Sequence, residues 1–213
     1  EIAYLCEGAN LYFKAQISPE DVVWSYSGVR PLIDDGSGKP EAATRGYRLD
    51  VDTEKGPPLL TIYGGKITSY RHVAEDAVNI LARHLTALTG KPWSDAAPLP
   101  GGDFEAGTLD DVIADYQRRY AFLPPVTTRR IARAYGTEAR KWLGDAVSWD
   151  DLGGEIGHGL SAAELRWQMK QEWAQTPEDV LWRRTKLGLR FSEEDTARLA
   201  DAMASINIAR VSG

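Results

Sequence analysis

Residues 59–71 read LLTIYGGKITSYR: a short apolar run, two glycines, a lysine and a polar helix start. Leu59, Leu60, Ile62 and Tyr63 predict a buried strand. Gly64 and Gly65 let the backbone turn sharply and approach a ligand without a Cβ in the way. Thr68 or Ser69 is placed to cap the following helix, over residues 69–87, in which Val73, Ala77, Ile80, Leu81 and Leu85 recur at helical spacing. A strand that delivers two glycines to a helix start leaves backbone N–H groups and a positive dipole end facing whatever docks there. By itself this is also the pattern of an ordinary tight strand-to-helix turn.

Upstream, residues 21–31 read DVVWSYSGVRP. Val22, Trp24, Tyr26, Gly28 and Arg30 alternate with Val23, Ser25, Ser27 and Val29, which predicts a strand over Val22–Val29 ended by Pro31. Arg30 then points a planar five-donor fork at one place. Beyond the polar loop 34–44, Arg45 opens a second alternating strand through Tyr47, Leu49 and Val51. Two arginines in one cleft suit a phosphate dianion; singly, each is an ordinary surface ion-pair partner.

Composition sets the outer bounds. The chain has 213 residues, 43% hydrophobic and 26% charged, a soluble balance with ample length for a core. No apolar run approaches the roughly 20 residues that span a bilayer. The net charge of −6 argues against non-specific nucleic-acid binding. The single Cys6 excludes an intrachain disulfide. No Cys/His cluster, HExxH, P-loop or nucleophile elbow is present, so no metal site is expected.

The expected fold class is α+β, in three stretches. Residues 1–90 mix helix and strand, with a helix near Ile2–Phe13 and a hairpin from the strands around Tyr47–Val51 and Leu59–Tyr63. Residues 91–103 form a proline- and glycine-rich linker. Residues 104–213 read as helices only. Thr108 is the expected cap of a helix with Val112, Ile113, Tyr116 and Tyr120 inward, ended by Pro124-Pro125. Helices follow from about Thr128 to Gly136 and from Thr137 to near Gly144. Ser161-x-x-Glu164 has the form of a capping box, and Thr176-Pro177-Glu178-Asp179 opens a helix running to Gly188. The last helix starts at Ser192, with Leu199, Met203 and Ile206 inward. Six of the seven tryptophans lie between Trp93 and Trp182 and are expected in the core.

Taken together, DVVWSYSGVRPLIDD, EAATRGYRLDV, LLTIYGGKITSYRHVAEDAVNIL and AELRWQMKQEWAQTPEDVLWRRTKLGL strongly resemble the aerobic, FAD-dependent glycerol-3-phosphate dehydrogenases, collinearly along nearly the whole chain. Ile67 and Ser69 stand where leucine and threonine are commoner. The Gly-rich dinucleotide fingerprint of such enzymes is missing. Residues 157–162, GHGLSA, fit its spacing loosely but do not follow a buried strand. With no initiator methionine either, the expectation is the C-terminal part of a longer enzyme: an incomplete FAD/substrate domain followed by a helical domain, inactive alone.

The resemblance implies oxidation of sn-glycerol 3-phosphate to dihydroxyacetone phosphate by hydride transfer to FAD, with electrons passed to a membrane quinone. It implies that Arg30 and Arg45 hold the substrate phosphate. Gly64, Gly65, Lys66, Ile67 and Thr68 would line the pyrimidine side of the flavin, with Lys66 also the catalytic candidate, adding a positive charge near flavin or substrate. A cytoplasmic enzyme associated peripherally with the membrane is implied, and a homo-oligomer is compatible with it. The general base is left unassigned: His72 and His84 are expected to face solvent, and His158 lies in a glycine-rich loop. Two other readings stay open on the residues alone. One is a helical interaction or oligomerisation module without enzymatic activity; the other is a flavin-dependent amine or hydroxy-acid oxidase.

Overall fold

The computed structural model describes residues 1–29, 32–33, 44, 46–54, 56–105 and 107–211, without the side chains of 207–211. It divides into two compact units, Glu1–Ala97 and Pro98–Gly213, with the division inside the proline- and glycine-rich run.

In the first unit, α1 (Ile2–Asn10) precedes an antiparallel hairpin of β1 (Tyr47–Asp52) and β2 (Leu59–Gly64), followed by α2 (Tyr70–Leu81). The alternation in β1 is real: Tyr47, Leu49 and Val51 are half-buried while Arg48, Asp50 and Asp52 are exposed. Arg48 pairs across the strands with Tyr63, stacks over its ring at 5.0 Å and bonds Asp50 at 2.8 Å. The Tyr47 hydroxyl donates to Asp76 at 2.6 Å, tying the hairpin to α2.

Several expectations for this unit fail. Residues 59–63 form a strand, but not a buried one: Leu59, Ile62 and Tyr63 are exposed, because a two-stranded hairpin covers little of either face. Val22–Val29 carries strand alternation but forms no strand, and Val23, Tyr26 and Val29 are exposed. Alternation becomes a strand only beside a paired neighbour, and no strand pairs with this segment among the described residues. The helix after the glycines ends at Leu81 rather than 87. Leu85, whose burial would have extended it, is 45% exposed.

The second unit is the helical part, with α3 (Leu109–Arg119), α4 (Pro125–Tyr135), α5 (Arg140–Leu143), α6 (Ala162–Gln171) and α7 (Glu193–Val211). Tyr116 of α3 and Tyr120, the residue that ends it, are fully buried and meet edge-on, ring centroids 5.7 Å apart. Their hydroxyls donate to the carbonyls of Gly136 at 2.6 Å and Gly144 at 2.9 Å, the residues at the C-terminal ends of α4 and α5. One helix thus supplies the partners for two otherwise bare helix ends. Gly136 (φ +53°) passes so close to Gly101 that a Cβ there would strike the Gly101 carbonyl. No other residue fits that crossing.

A second core gathers Leu160, Leu165, Met169, Val180, Leu181, Leu199 and Met203. Leu199 and Met203 are buried and Ile206 is partly so, as the spacing in α7 predicts. The stretch read as helices only also holds a hairpin of β3 (Glu155–Gly157) and β4 (Leu160–Ser161), whose Leu160 joins the second core, turned by His158 (φ +49°) and Gly159 (φ +81°). Two successive positive φ values match the twist that tight hairpins favour.

Several local expectations are corrected. Pro124 and Pro125 do not only break α3; they are the cap and first residue of α4, where the missing N–H costs nothing. The Thr108 hydroxyl donates to the Glu105 carbonyl instead of capping α3. The helix opened by Thr176 is a π-helical segment, Asp179–Arg184, and stops before Gly188. Trp93 and Trp173 are 73% and 80% exposed, whereas Trp142, Trp149, Trp167 and Trp182 pack against the cores.

Candidate functional site

Strand β2 ends at Gly64 (φ +69°), followed by Gly65 (φ +97°). Both lie in the left-handed region that costs an L side chain about 1–2 kcal/mol. A Cβ on Gly64 would also sit 2.9 Å from the Gly46 carbonyl oxygen and 2.9 Å from Ile33 Cγ1. The Gly65 amide donates to that same Gly46 carbonyl at 2.9 Å, which pins the turn to the residue that directly follows Arg45 in sequence.

Lys66 is extended, and a 3₁₀ turn, Ile67–Ser69, leads into α2. The expected cap is absent. The Ser69 hydroxyl donates backwards to the Lys66 carbonyl at 2.8 Å, and the Ser69 amide reaches the same oxygen at 3.0 Å. The amides of Lys66, Ile67 and Thr68 therefore have no backbone acceptor among the described residues. No acid stands in the first turn of α2 to offset its dipole. Lys66, Ile67 and Thr68 are exposed, Ile67 at 89%, and Lys66 makes no ion pair among the described residues. Three amides without backbone acceptors, a cation and a helix start thus lie together at one exposed glycine turn. That arrangement can stabilise negative charge on a ring edge or an anion.

Gly64, Gly65, Lys66, Ile67 and Thr68 are brought together as one surface. Arg30 and Arg45 lie outside the described residues. His72 and His84 are exposed, and His158 turns the β3–β4 hairpin. Among the described residues no cluster of three or more His, Cys, Asp or Glu is poised to hold a metal.

Residues 93–207 match the family of the C-terminal domain of alpha-glycerophosphate oxidase. The chain belongs to this family. It is 42% identical to aerobic glycerol-3-phosphate dehydrogenase of Escherichia coli over all 213 residues, covering 42% of that protein. It is 42% identical to glycerol-3-phosphate dehydrogenase of Pseudomonas aeruginosa over 206 residues, covering 96% of this chain and 40% of that one. It is 38% identical to D-erythritol 1-phosphate dehydrogenase of Brucella abortus over 208 residues, covering 98% of this chain and 41% of that one. The chain therefore spans about two fifths of these relatives' length.

One polar constellation in the family's helical domain is not legible from spacing. Arg130 of α4 holds both carboxylate oxygens of Glu164 at 2.6 and 2.7 Å and the Gly159 carbonyl at 2.8 Å. The Tyr135 hydroxyl donates to Glu164 at 2.9 Å and accepts from Gln168 at 2.7 Å. Burial, then the Glu164 charge, drive the Tyr135 pKa upward, so the phenol stays protonated. Burial opposes the Arg130 cation, but Glu164 outweighs it and holds the charge. Ser161 caps α6 as predicted, accepting from the Glu164 amide at 3.1 Å. The Glu164 carboxylate, however, leaves the box for a partner 34 positions away.

Proposed function

We propose that this chain is the C-terminal part of a flavoenzyme that oxidises sn-glycerol 3-phosphate to dihydroxyacetone phosphate. The observation that carries the reading is the 42% identity to an aerobic glycerol-3-phosphate dehydrogenase across all 213 residues. The glycine turn supports it independently. Three amides without backbone acceptors and a lysine at one helix start fit the pyrimidine edge of a flavin, which concentrates negative charge when reduced.

FAD, when bound, supplies the hydride acceptor. The residues of this chain do the positioning. Gly64 and Gly65 keep side chains away from the ring edge, so that the Lys66, Ile67 and Thr68 amides reach it. Lys66 adds a full positive charge where electrons arrive. Arg30 and Arg45 clamp the substrate phosphate, and anchoring that remote group orients the C2–H bond for transfer. The base that takes the alcohol proton is not among the residues assigned.

On this reading the bound flavin would pass its electrons to a membrane quinone, with the enzyme peripherally associated from the cytoplasmic side. Among the described residues no helix is long and apolar enough to cross a membrane, so contact at the surface fits. A homo-oligomer is compatible with this reading.

Expression of the full-length parent tests the proposal. It should retain flavin and reduce a dye acceptor with glycerol 3-phosphate. D-Erythritol 1-phosphate, run in parallel, decides between the two polyol phosphates named in the relatives. A parent without bound flavin, or one indifferent to both phosphates, would overturn it.

A further inference from the structure

Tyr47 stands directly opposite Gly64 in the β1–β2 register. The Gly65 amide closes onto the carbonyl of the residue before Tyr47, Gly46, at 2.9 Å. A Cβ on Gly65 would lie 3.5 Å from the Tyr47 Cβ, so the tyrosine leaves its strand against the turn itself.

The far end of the same side chain reaches the helix. The Tyr47 hydroxyl donates to the Asp76 carboxylate at 2.6 Å, and Asp76 lies in the second turn of α2. Tyr47 therefore spans the glycine turn: its Cβ meets Gly65, where the 65–69 segment begins, and its hydroxyl holds the helix into which that segment runs. Among the described residues this is the one side-chain hydrogen bond between the hairpin and α2. Asp76 makes no ion pair among the described residues, so its carboxylate is given to the tyrosine. A bond to a charged acceptor is stronger than one between neutral groups. That bond, then burial, raise the Tyr47 phenol above its ordinary value and keep the hydroxyl a donor.

The segment so spanned has little to hold it locally. Gly64 and Gly65 bring the freest backbone in the chain. The Ser69 hydroxyl turns back to the Lys66 carbonyl instead of capping α2. The Lys66, Ile67 and Thr68 amides have no backbone acceptor among the described residues. Donors stabilise developing charge only when they are aimed before it arrives.

We propose that Tyr47 is a positioning residue for the flavin: the Tyr47–Asp76 bond fixes the angle between the glycine turn and α2, and so aims the Lys66, Ile67 and Thr68 amides at the ring edge. This rests on the flavin reading of the turn. It adds a residue that does not touch the ring and acts through those that do.

The flavin-loaded full-length parent is the test protein. Tyr47→Phe removes only the hydroxyl, whereas Asp76→Asn keeps an acceptor oxygen and should behave as wild type. In Tyr47→Phe the ratio of reduced to oxidised flavin at a set potential should fall about threefold, the scale of one hydrogen bond. That is a drop of about 15 mV in the two-electron midpoint potential. Hydrogen exchange of the flavin-bound protein, read by mass spectrometry, should quicken about threefold in the 65–70 peptide and stay unchanged in the helical unit. A merely structural tyrosine would loosen exchange broadly and leave the potential where it was.

An unchanged potential in Tyr47→Phe, or a shift as large in Asp76→Asn, would overturn the proposal. Should Tyr47→Phe fail to fold, Asp76→Ala breaks the same bond at an exposed position. Faster exchange of its 65–70 peptide then upholds the tether, and unchanged exchange overturns it. A wild-type parent without flavin overturns the flavin reading and this inference with it. A flavin-loaded parent indifferent to Tyr47→Phe overturns the tether alone.

Discussion

Arg130 grips both oxygens of Glu164 in a fork, and the Glu164 side chain is entirely shielded from solvent. Removing one member of such a pair strands a buried charge. Glu164→Gln should therefore destabilise the helical unit by about 3–5 kcal/mol in urea denaturation. Arg183→Ala, at an exposed pair with Glu178 and Asp179, should cost less than about 1 kcal/mol. Equal losses for the two variants would show that the buried fork is not the stabilising element.

Acid should weaken the fold through its capping aspartates. Asp195 is held down to about 2, first by the Ser192 amide, then by the Ser192 hydroxyl, with His158 and Arg198 helping. A carboxylate depressed on folding contributes stability that is complete above its unfolded value, near 3.8, and is lost as pH falls towards 2. Asp179 and Asp151, lowered chiefly by the Gln175 and Val147 amides, act in the same direction. Asp195→Asn should lower stability at neutral pH and flatten the acid loss, checked by denaturation midpoints at pH values on either side of that window.

The alkaline limb has a different owner. Burial raises the Tyr116 phenol to about 12. The protonated form is the folded one, so this contribution is intact below the ordinary value of 10.0 and disappears as pH climbs towards 12. Tyr116→Phe should lose about 1 kcal/mol at neutral pH, because the Gly136 carbonyl loses its donor. It should also remove one late phenolate step from the ultraviolet titration.

The Gly101–Gly136 crossing predicts a backbone effect. Gly136→Ala should be more damaging than Gly154→Ala, since both have positive φ but only the first would collide with backbone. Thermal unfolding of the two variants makes the comparison, and equal midpoints would contradict the close approach.

Sequence periodicity reached the elements whose burial is local. The β1 alternation, the α3 stripe ending in Tyr116 with Tyr120 just beyond it, and Leu199 with Met203 in α7 follow from spacing, whereas the run read as a buried strand leaves Leu59, Ile62 and Tyr63 of β2 exposed. It misjudged Val22–Val29, where the pattern exists but no neighbour pairs with it among the described residues. It misjudged Ser69 and Thr108 because a hydroxyl near a helix start can turn back to a carbonyl as readily as forward to an amide. The glycine turn was legible because Gly64 and Gly65 (φ +69° and +97°) are the residues that take left-handed backbone without strain where an apolar run ends. The Arg130–Glu164 fork was not, since it joins residues 34 positions apart.

The proposed function assigns the substrate phosphate to Arg30 and Arg45 and the flavin edge to the Gly64–Thr68 turn. Anaerobic bleaching of the flavin band in the intact parent, titrated with sn-glycerol 3-phosphate, tests it most directly. Arg30→Ala should raise the half-maximal substrate concentration about tenfold or more while the bound flavin is retained, and phosphate-free glycerol should not compete. Unchanged titration in Arg30→Ala, or glycerol competing as well as its phosphate, would contradict the account.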